Sequence, residues 1–348
     1  MKAAVIKQPG VIQVEEVKKP SPGPGEVLLK VNACAICGTD QRVLSGEKHV
    51  DVPVVGHEIS GVVAEIGVGV PNYKVGERYD VQTVIGCNNC EMCRQDRQNL
   101  CENGFVAMGY QFNGGFAEYM IMPKIAVDQG CLIPVPKEMT DDVVTLIEPL
   151  SCCINGMRPI PLENANHVVV FGGGIIGCLN GLVARARGAK DITIMDISQD
   201  RLDLLKKLNL PFDHYVNSGN HDPIQWVMDK TAGKGADVAV IAASVKQLAP
   251  VGLDILGRDG HLSLFAGMPK SDPVENIDLN KIHYFELHVH GANSSVRRDY
   301  EEAAAMLASG RIDGQKLVTH HFNLDDFNNA VEIQRTPSAG SLKIIINP

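Results

Sequence analysis

The feature that most constrains this fold is a short apolar strand that runs straight into a glycine-rich turn and a helix. The strand is His167–Phe171, and Gly172, Gly174 and Gly177 form the pattern GxGxxG directly after it. The first glycine permits a tight turn, the second lets a pyrophosphate approach the backbone, and the third lets helix and strand pack closely. Free N–H groups at the start of the helix favour an anion. The segment therefore predicts a dinucleotide-binding turn.

An acidic residue further along supports this prediction. Asp196 lies nineteen residues after Gly177, at the end of the next predicted strand, Asp191–Asp196. A carboxylate there accepts hydrogen bonds from both ribose hydroxyls and repels a 2′-phosphate, so NAD is predicted over NADP. A glycine-rich turn without a ligand is disfavoured, because strand, helix and acid are all in place. The cofactor-binding residues predicted from the motif are Gly172, Gly174, Ile175, Ile176, Gly177 and Asp196.

Strands and helices alternate throughout this part of the chain. Such alternation predicts an α/β fold with a doubly wound parallel sheet, because crossover helices cover both faces of the sheet. Further strands are predicted at His214–Asn217, Asp237–Ala243, Gly260–Ala266 and Leu287–Gly291, and helices at Arg201–Leu208, Pro223–Thr231 and Val245–Leu256.

The first part of the chain predicts a different architecture. Short strands alternate there with glycine and proline turns such as Pro20–Gly25, which is typical of a small β-rich, barrel-like domain. A helix is predicted at Thr140–Leu150, because a threonine followed by two acids is typical of a helix start. The tail contains a predicted helix at Asp299–Ser309 and a strand at Leu342–Ile346. We expect this tail to return to the first domain.

Composition limits the possible partners. The 348 residues are enough for two domains, and 45% are hydrophobic, which disfavours wholesale disorder. A formal charge of -9 without a basic run argues against nucleic acid as a partner. We find no stretch of the length needed for a signal peptide or a membrane span. The ten cysteines are therefore expected in a reducing, cytoplasmic compartment.

Four of these cysteines have the spacing of a metal site. Cys87, Cys90, Cys93 and Cys101 form two CxxC steps in tandem and a fourth thiol eight residues further on. Four thiolates can enclose one tetrahedral zinc ion, and free thiols or disulfides explain this spacing less well. Four protein ligands leave no position open for substrate. The spacing therefore predicts a structural zinc that shapes a lobe without taking part in chemistry.

A second group of metal-capable residues is spread along the first domain. Cys37, His57, Glu58 and Glu148 offer sulfur, nitrogen and carboxylate oxygen, the three donor types that zinc takes. Cys37 alone could be a buried small hydrophobe, but its combination with a closed cysteine site and a dinucleotide turn favours a catalytic zinc. Neighbouring strand residues point to opposite faces, so His57 and Glu58 reach one ion only if the chain bends at Gly56. Beside Cys37 and His57, the third protein ligand is therefore either Glu58 or Glu148.

The whole chain resembles the zinc-containing, medium-chain alcohol and polyol dehydrogenases, in particular the sorbitol dehydrogenase-like members. The resemblance rests on GHEISG from Gly56, continuing to Gly67 and Val70, on CGTD from Cys37, and on GGFAEY from Gly114. The four-cysteine lobe and the glycine turn also occur in the order of that family. Such co-occurrence is highly specific.

This resemblance implies a GroES-like, β-rich catalytic domain with a Rossmann domain inserted in it. Residues 1–150 would form the first part of the catalytic domain, with the zinc lobe at about 86–104. Residues 151–290 would form the NAD-binding domain, and residues 291–348 would return to the catalytic domain. The family further implies two zinc ions per chain, one catalytic and one structural, and a homodimer or homotetramer.

The resemblance also assigns roles to single residues. Thr39 corresponds to the hydroxyl that takes the alcohol proton, and Arg201 would flank the adenosine ribose. Glu148 stands where simple alcohol dehydrogenases have a cysteine ligand, as in sorbitol-type enzymes. Arg42 replaces a histidine that relays the proton in many relatives, and because arginine stays charged the relay must differ. A solvated surface arginine is favoured at this position over one that faces an anionic group such as a sugar phosphate. Arg297 lies near the position of a substrate-binding arginine.

These features predict a zinc-dependent enzyme that oxidises a secondary alcohol of a polyol, sugar or sugar phosphate to a ketone while reducing NAD. A threonine-type amino-alcohol 3-dehydrogenase is the enzymatic alternative. A nucleotide-binding family member without catalysis is disfavoured by the joint presence of Cys37, Thr39, His57 and Glu148. A zinc-ribbon module that binds nucleic acid is disfavoured by the acidic charge.

Overall fold

The computed structural model describes residues 1–336 and 340–348, which form two compact units. Unit 1 contains Met1–Ser151 and Ser294–Pro348, and unit 2 contains Cys152–Asn293. The tail thus belongs to the same unit as the first part of the chain. Within the described residues, none of the helices is both long enough and apolar enough to cross a lipid bilayer.

Unit 1 is built on antiparallel pairing. One sheet has the strand order β16-β17-β3-β4-β5-β9, with β8 also paired to β3, while β1 pairs with β2 and β6 with β7. The C-terminal strand β17 lies between β16 and β3, so the chain end completes a sheet that the chain start begins. The strands of unit 1 are β1 (Lys2–Gln8), β2 (Val11–Glu16), β3 (Val27–Ala35), β4 (Glu58–Ile66), β5 (Arg78–Val81), β6 (Val84–Ile85), β7 (Val106–Ala107), β8 (Tyr119–Met122), β9 (Leu132–Pro134), β16 (Val318–Asn323) and β17 (Lys343–Asn347).

Short helices connect these strands. They include α1 (Gly38–Leu44), α2 (Glu91–Arg94), α3 (Lys124–Asp128), α4 (Asp141–Val144), α11 (Arg297–Ala308) and α12 (Phe327–Arg335), and α5 (Ile147–Met157) contains the boundary between the units. The core of unit 1 joins residues from distant parts of the chain, among them Val31, Phe116, Phe327 and Ile344. Phe116 and Phe327 pack edge to face with ring centroids 4.8 Å apart.

The predicted helix Thr140–Leu150 is wrong in its bounds. The structure instead has α4, which ends at Val144, and α5, which begins at Ile147. Pro149 explains the break, because a proline has no N–H to continue a helix but fits without cost in a first turn. As a result Glu148 lies in the first turn of α5, where the helix dipole favours a negative charge.

Unit 2 is a doubly wound sheet. Its six strands have the order β12-β11-β10-β13-β14-β15, and every neighbouring pair is parallel. This order reverses direction at β10, which is typical of dinucleotide-binding sheets. The strands are β10 (His167–Phe171), β11 (Asp191–Asp196), β12 (His214–Asn217), β13 (Ala236–Ile241), β14 (Leu256–Leu264) and β15 (His288–Gly291). The helices are α6 (Ile175–Ala186), α7 (Gln199–Lys207), α8 (Pro223–Lys230), α9 (Leu248–Asp254) and α10 (Leu279–Phe285).

Sequence patterning accounts for most of unit 2. The apolar central strands are buried, and Phe171, Ala239, Ile241 and Leu262 belong to its core. The structure differs from the prediction in several element bounds. Helix α9 begins later than the predicted Val245–Leu256 and ends before Leu256, because Leu256 already begins β14, a strand predicted only from Gly260. Helix α10 is capped by Asp278 and was not predicted from the sequence.

Candidate active site and cofactor turn

Cys37 is the N-cap residue of helix α1. Its Sγ accepts a hydrogen bond from the Thr39 N–H at 3.4 Å, and the Asp40 carboxylate accepts one from the Cys37 N–H at 2.9 Å. The Cys37 side chain therefore lies at the N-terminal end of helix α1. Thr39 is half-buried in the first turn of the same helix.

A backbone bend at Gly56, just before β4, lets the side chains of His57 and Glu58 reach the same site. Gly56 has a φ of 97°, and a Cβ there would lie 2.8 Å from the Cys34 Sγ and 2.9 Å from the Phe116 ring. Only glycine fits this backbone, and the bend at Gly56 is the one that a shared His57–Glu58 site requires. Both side chains are buried.

Cys37, His57 and Glu58 each present a ligand atom, and these three atoms lie within 4.8 Å of one another. His57 Nδ1 lies 3.4 Å from Asp40 Oδ1, which can orient the ring. Burial opposes a charge on His57, yet Tyr110, Asp40 and Cys37 together raise its pKa well above the ordinary value. The pocket thus favours positive charge. A sulfur, a nitrogen and a carboxylate oxygen in such surroundings fit a zinc ion.

Lys343 is a buried partner of this group that sequence reasoning missed. Its Nζ contacts Glu58 Oε2, and both side chains are only 1% exposed. The same ammonium donates to the Ile36 carbonyl at 3.3 Å. Although burial opposes the charge, Glu58 raises the pKa of Lys343, so the lysine stays protonated. The signal in the sequence was a single charged residue within an otherwise apolar strand.

Glu148 lies outside the group of three ligand atoms but within electrostatic reach of it. It is buried, and after burial itself its charge is the next cause that raises the pKa of Asp80 well above the ordinary value. Tyr110 is a second residue that sequence reasoning missed. Its ring centroid lies 5.4 Å from that of His57, and the Lys48 Nζ lies 4.2 Å from the Tyr110 ring centroid.

The two predicted substrate arginines have local partners. Arg42 Nε lies 3.7 Å from Glu47 Oε2. Arg297 forms an ion pair with Glu301 at 2.8 Å and donates to the Gly130 carbonyl at 2.6 Å. Both arginines are more than two-fifths exposed, with 43% and 46% of their side chains accessible.

The four lobe cysteines converge as the spacing predicts. Their sulfur atoms all lie within 4.8 Å of one another, and two of the pairs, Cys87–Cys93 and Cys90–Cys101, are 3.9 Å apart. A tetrahedral ion with zinc–sulfur bonds of about 2.3 Å has edges of ~3.8 Å, so the four atoms fit zinc. All ten cysteines lie in the described residues and none forms a disulfide. Amides of Asn89 and Cys90 lower the pKa of Cys87 to about 6.

The glycine turn has the geometry of an anion-binding loop. Gly172 has a φ of 108°, and Gly174 is the N-cap of helix α6, whose first residues are Ile175 and Ile176. A Cβ at Gly177 would lie 1.8 Å from the Gly172 carbonyl oxygen, so the helix packs against the turn only because this residue is glycine.

Asp196 is positioned beside this turn. Its Oδ2 accepts from the Gly173 N–H at 2.7 Å and its Oδ1 from the Ser198 N–H at 2.8 Å. Arg201 lies in helix α7, and its Cγ is 3.0 Å from where a Gly173 Cβ would stand. The structure therefore brings Asp196 and Arg201 to the same face of the turn.

Comparison with known proteins agrees with this organisation. Residues 23–137 match the family described as alcohol dehydrogenase GroES-like domain, and residues 176–309 match the family described as zinc-binding dehydrogenase. The L-threonine 3-dehydrogenase of Thermococcus kodakarensis is 31% identical over 97% of this chain and 94% of its own length. The sorbitol dehydrogenase of Halalkalibacterium halodurans is 30% identical over 100% of this chain and 99% of its own length.

A solved structure is similar over the same extent. A zinc-binding dehydrogenase from Sinorhizobium meliloti, crystallised with NADP, superposes with a TM-score of 0.91 at 28% identity and covers 100% of this chain and 99% of its own. Both units therefore have the architecture expected from the sequence, a GroES-like domain and a Rossmann-like parallel sheet. This chain belongs to the zinc-containing medium-chain dehydrogenase family, whose members are oxidoreductases.

Proposed function

We propose that this protein oxidises a secondary alcohol of a polyol, sugar or sugar phosphate to a ketone, with hydride transfer to NAD. The observation that carries the proposal is the buried group of Cys37, His57 and Glu58, whose sulfur, nitrogen and oxygen atoms lie within 4.8 Å of one another. A buried donor set of this kind, in a chain that also has a dinucleotide turn, suits metal-assisted alcohol oxidation better than a purely structural role.

Cys37, His57 and Glu58 would hold the catalytic zinc, and Lys343 would balance the charge of Glu58. Glu148, in the first turn of α5, supplies a second carboxylate close enough to act on the same site. Bound there, zinc would polarise the substrate oxygen and lower the pKa of the alcohol. Asp40 fixes the orientation of the His57 ring.

Thr39 is our candidate for the first acceptor of the alcohol proton. It lies two residues after Cys37 on the turn that holds the thiol, and a hydroxyl both accepts and donates a proton. Arg42 cannot pass the proton on near neutral pH, because its guanidinium remains charged. The proton therefore leaves by a group other than the side chain at position 42.

The glycine turn and Asp196 would bind the dinucleotide. The N–H groups at the start of α6 would bind the pyrophosphate, and Asp196 would accept hydrogen bonds from the ribose hydroxyls. The relative from Sinorhizobium meliloti binds NADP, so the preference for NAD rests on Asp196 alone. The nicotinamide supplies the hydride acceptor, and the chain supplies its orientation.

An amino alcohol such as L-threonine is the second candidate substrate. It is supported by the L-threonine 3-dehydrogenases, which are 31% identical to this chain over nearly its full length. A polyol is supported by the sorbitol dehydrogenase at 30% identity and by the position of Glu148. Both substrates carry a secondary alcohol, so the same zinc and the same Thr39 serve either reaction.

The test is NAD reduction by the zinc-replete protein with a panel of polyols, sugar phosphates and L-threonine. We expect substrate-dependent NADH formation, with the highest kcat/KM for a polyhydroxylated compound. Highest kcat/KM for L-threonine would replace the first candidate by the second. Failure of every secondary alcohol, with both zinc sites filled, would contradict the proposed function.

A further inference from the structure

A cluster of three histidines and one aspartate lies at the edge of the sheet of unit 2. His261 is on β14 and is the register partner of His288 on the edge strand β15. His288 and His290 are two residues apart on that strand, so both side chains leave the same face of the sheet. Asp259 precedes His261 in β14 and has a φ of 59°. None of these four residues takes part in the proposed function.

The side chains of the cluster are in close contact. His261 Nδ1 lies 3.0 Å from His290 Nε2, and His288 Nε2 lies 3.0 Å from Asp259 Oδ1. The rings of His261 and His288 have centroids 4.5 Å apart. Ligand atoms of Asp259, His261 and His288 all lie within 4.8 Å of one another. The pairing of the two strands thus brings ligand atoms of Asp259, His261 and His288 together, and His290 Nε2 lies beside His261 Nδ1.

His261 and His290 face each other through their ring nitrogens. An imidazole nitrogen presents the lone pair that a divalent transition metal needs. Without an ion, two ring nitrogens that face each other at 3.0 Å must share a single proton.

We propose that His261, His288 and Asp259, with His290 as the fourth ligand, form a further site for a divalent transition-metal ion such as zinc. Zinc binds imidazole nitrogen at about 2.0–2.1 Å, which puts tetrahedral ligand atoms ~3.3 Å apart, close to the 3.0 Å contacts of the cluster. Small rotations of the stacked rings turn their lone pairs toward a common point. Asp259 is 80% exposed and His288 48% exposed, so an ion enters directly from solvent.

The proposed ion would tie the edge strand to the rest of its sheet. Among the strands of the described residues, β15 pairs with β14 alone, and the four ligands come from these two strands. Because the ion binds the folded unit and loses its ligand geometry on unfolding, added zinc should raise the unfolding midpoint of unit 2. The site does not rest on the proposed function, and its ligands lie in no part of the catalytic machinery described above.

The test is the zinc content of the full chain after dialysis against dilute zinc chloride. The double variant His288→Gln/His290→Gln is compared with the wild type and with His283→Gln, which removes an exposed histidine of the same unit. We expect the wild type and His283→Gln each to hold one zinc ion more than the double variant. Equal zinc content in the three proteins would overturn the proposal.

A second, milder variant tests the same site if the double variant does not fold. Asp259→Asn keeps a residue type that tolerates positive φ and removes only the carboxylate charge. We expect its zinc affinity at this site, measured by calorimetric titration with zinc chloride, to fall by about tenfold or more. Unchanged affinity would show that the carboxylate does not bind the ion and would overturn the ligand set. NAD reduction by both variants should match the wild type, which separates this outcome from failure of the proposed function.

Discussion

At the scale of single residues, the site depends on the buried ion pair between Glu58 and Lys343. Glu58 is held by Lys343, and both side chains are almost inaccessible to solvent. Removing one member of such a pair leaves an uncompensated buried charge, which costs far more than the pair itself contributes. The Glu58 carboxylate, a proposed zinc ligand, therefore depends on Lys343 for its balancing charge.

Lys343→Met should lower the free energy of unfolding by about 3–5 kcal/mol, because the Glu58 carboxylate then stays buried without its cation. Guanidinium unfolding measures the change, and Lys343→Arg is the control that keeps the charge. The methionine variant should also lose zinc from the catalytic site more readily. A loss of stability equal to that of Lys343→Arg would contradict the role of the charge.

Asp80 gives a prediction that depends on pH. It is fully buried, neither carboxylate oxygen has a hydrogen-bond partner among the described residues, and burial followed by Glu148 raises its pKa. The folded state therefore binds this proton more tightly than the unfolded state, whose pKa is about 3.9. Protonated Asp80 contributes its full stabilisation below the unfolded-state pKa of about 3.9. This contribution is lost as the pH rises toward the raised pKa of Asp80 in the folded state.

Asp80→Asn removes this titration. We expect the variant to be more stable than the wild type near neutral pH, with the difference shrinking as the pH is lowered toward about 4. Unfolding free energies of both proteins at the two pH values measure the effect. A stability difference that is the same at both pH values would rule out a buried, titrating Asp80.

At the scale of elements, two short segments hold the proposed cofactor sites. The cysteine lobe has little regular structure of its own, with α2 spanning only Glu91–Arg94. We infer that a bound ion would give the lobe its shape, because its sulfur atoms cluster and accept hydrogen bonds from nearby amides. Helix α6, by contrast, packs against strands β10 and β11 of the buried sheet.

Cys93→Ser should remove one zinc ion per chain and leave the lobe unfolded locally. Amide hydrogen exchange should accelerate between about residues 86 and 104, while the sheet of unit 2 keeps its protection. Cys152→Ser, outside any proposed metal site, is the matched control. Unchanged exchange in the lobe after zinc loss would mean that the ion does not shape it.

Asp196→Ala should reduce the preference for NAD over NADP. The variant loses the acceptor for the ribose hydroxyls and the charge that repels a 2′-phosphate, and each good contact of this kind is worth roughly tenfold. The ratio of kcat/KM for the two cofactors is the measurement. Gln199→Ala, on the adjoining helix α7, is the control, and an unchanged ratio in Asp196→Ala would remove Asp196 from the account.

At the scale of the whole molecule, residues that act together come from opposite ends of the chain. Cys37 and His57 lie near the start, whereas Lys343 lies on β17, which returns to pair with β3. Patterns within a short window predicted the glycine turn, the cysteine lobe and most strands of unit 2. They also predicted that His57 and Glu58 meet only if the chain bends at Gly56, and the structure has that bend.

Two of the features that escaped prediction share a physical cause, which is pairing between strands distant in the sequence. Lys343 and Glu58 are partners through a sheet whose strand order is set by packing of the entire unit, so no local pattern pairs them. The histidine cluster likewise depends on the register of β14 against β15. The break between α4 and α5 has a local cause instead. Pro149 has no backbone N–H, and this divides one predicted helix into two.

We infer that a zinc ion held by Cys37 supports alcohol oxidation. The rate of NAD reduction by Cys37→Ser tests this inference when it is measured beside the wild type with the best alcohol of the panel, and with zinc content determined on the same samples. We expect the variant to hold one zinc ion fewer and its rate to fall to background. A variant that keeps its full zinc content and the wild-type rate would contradict it.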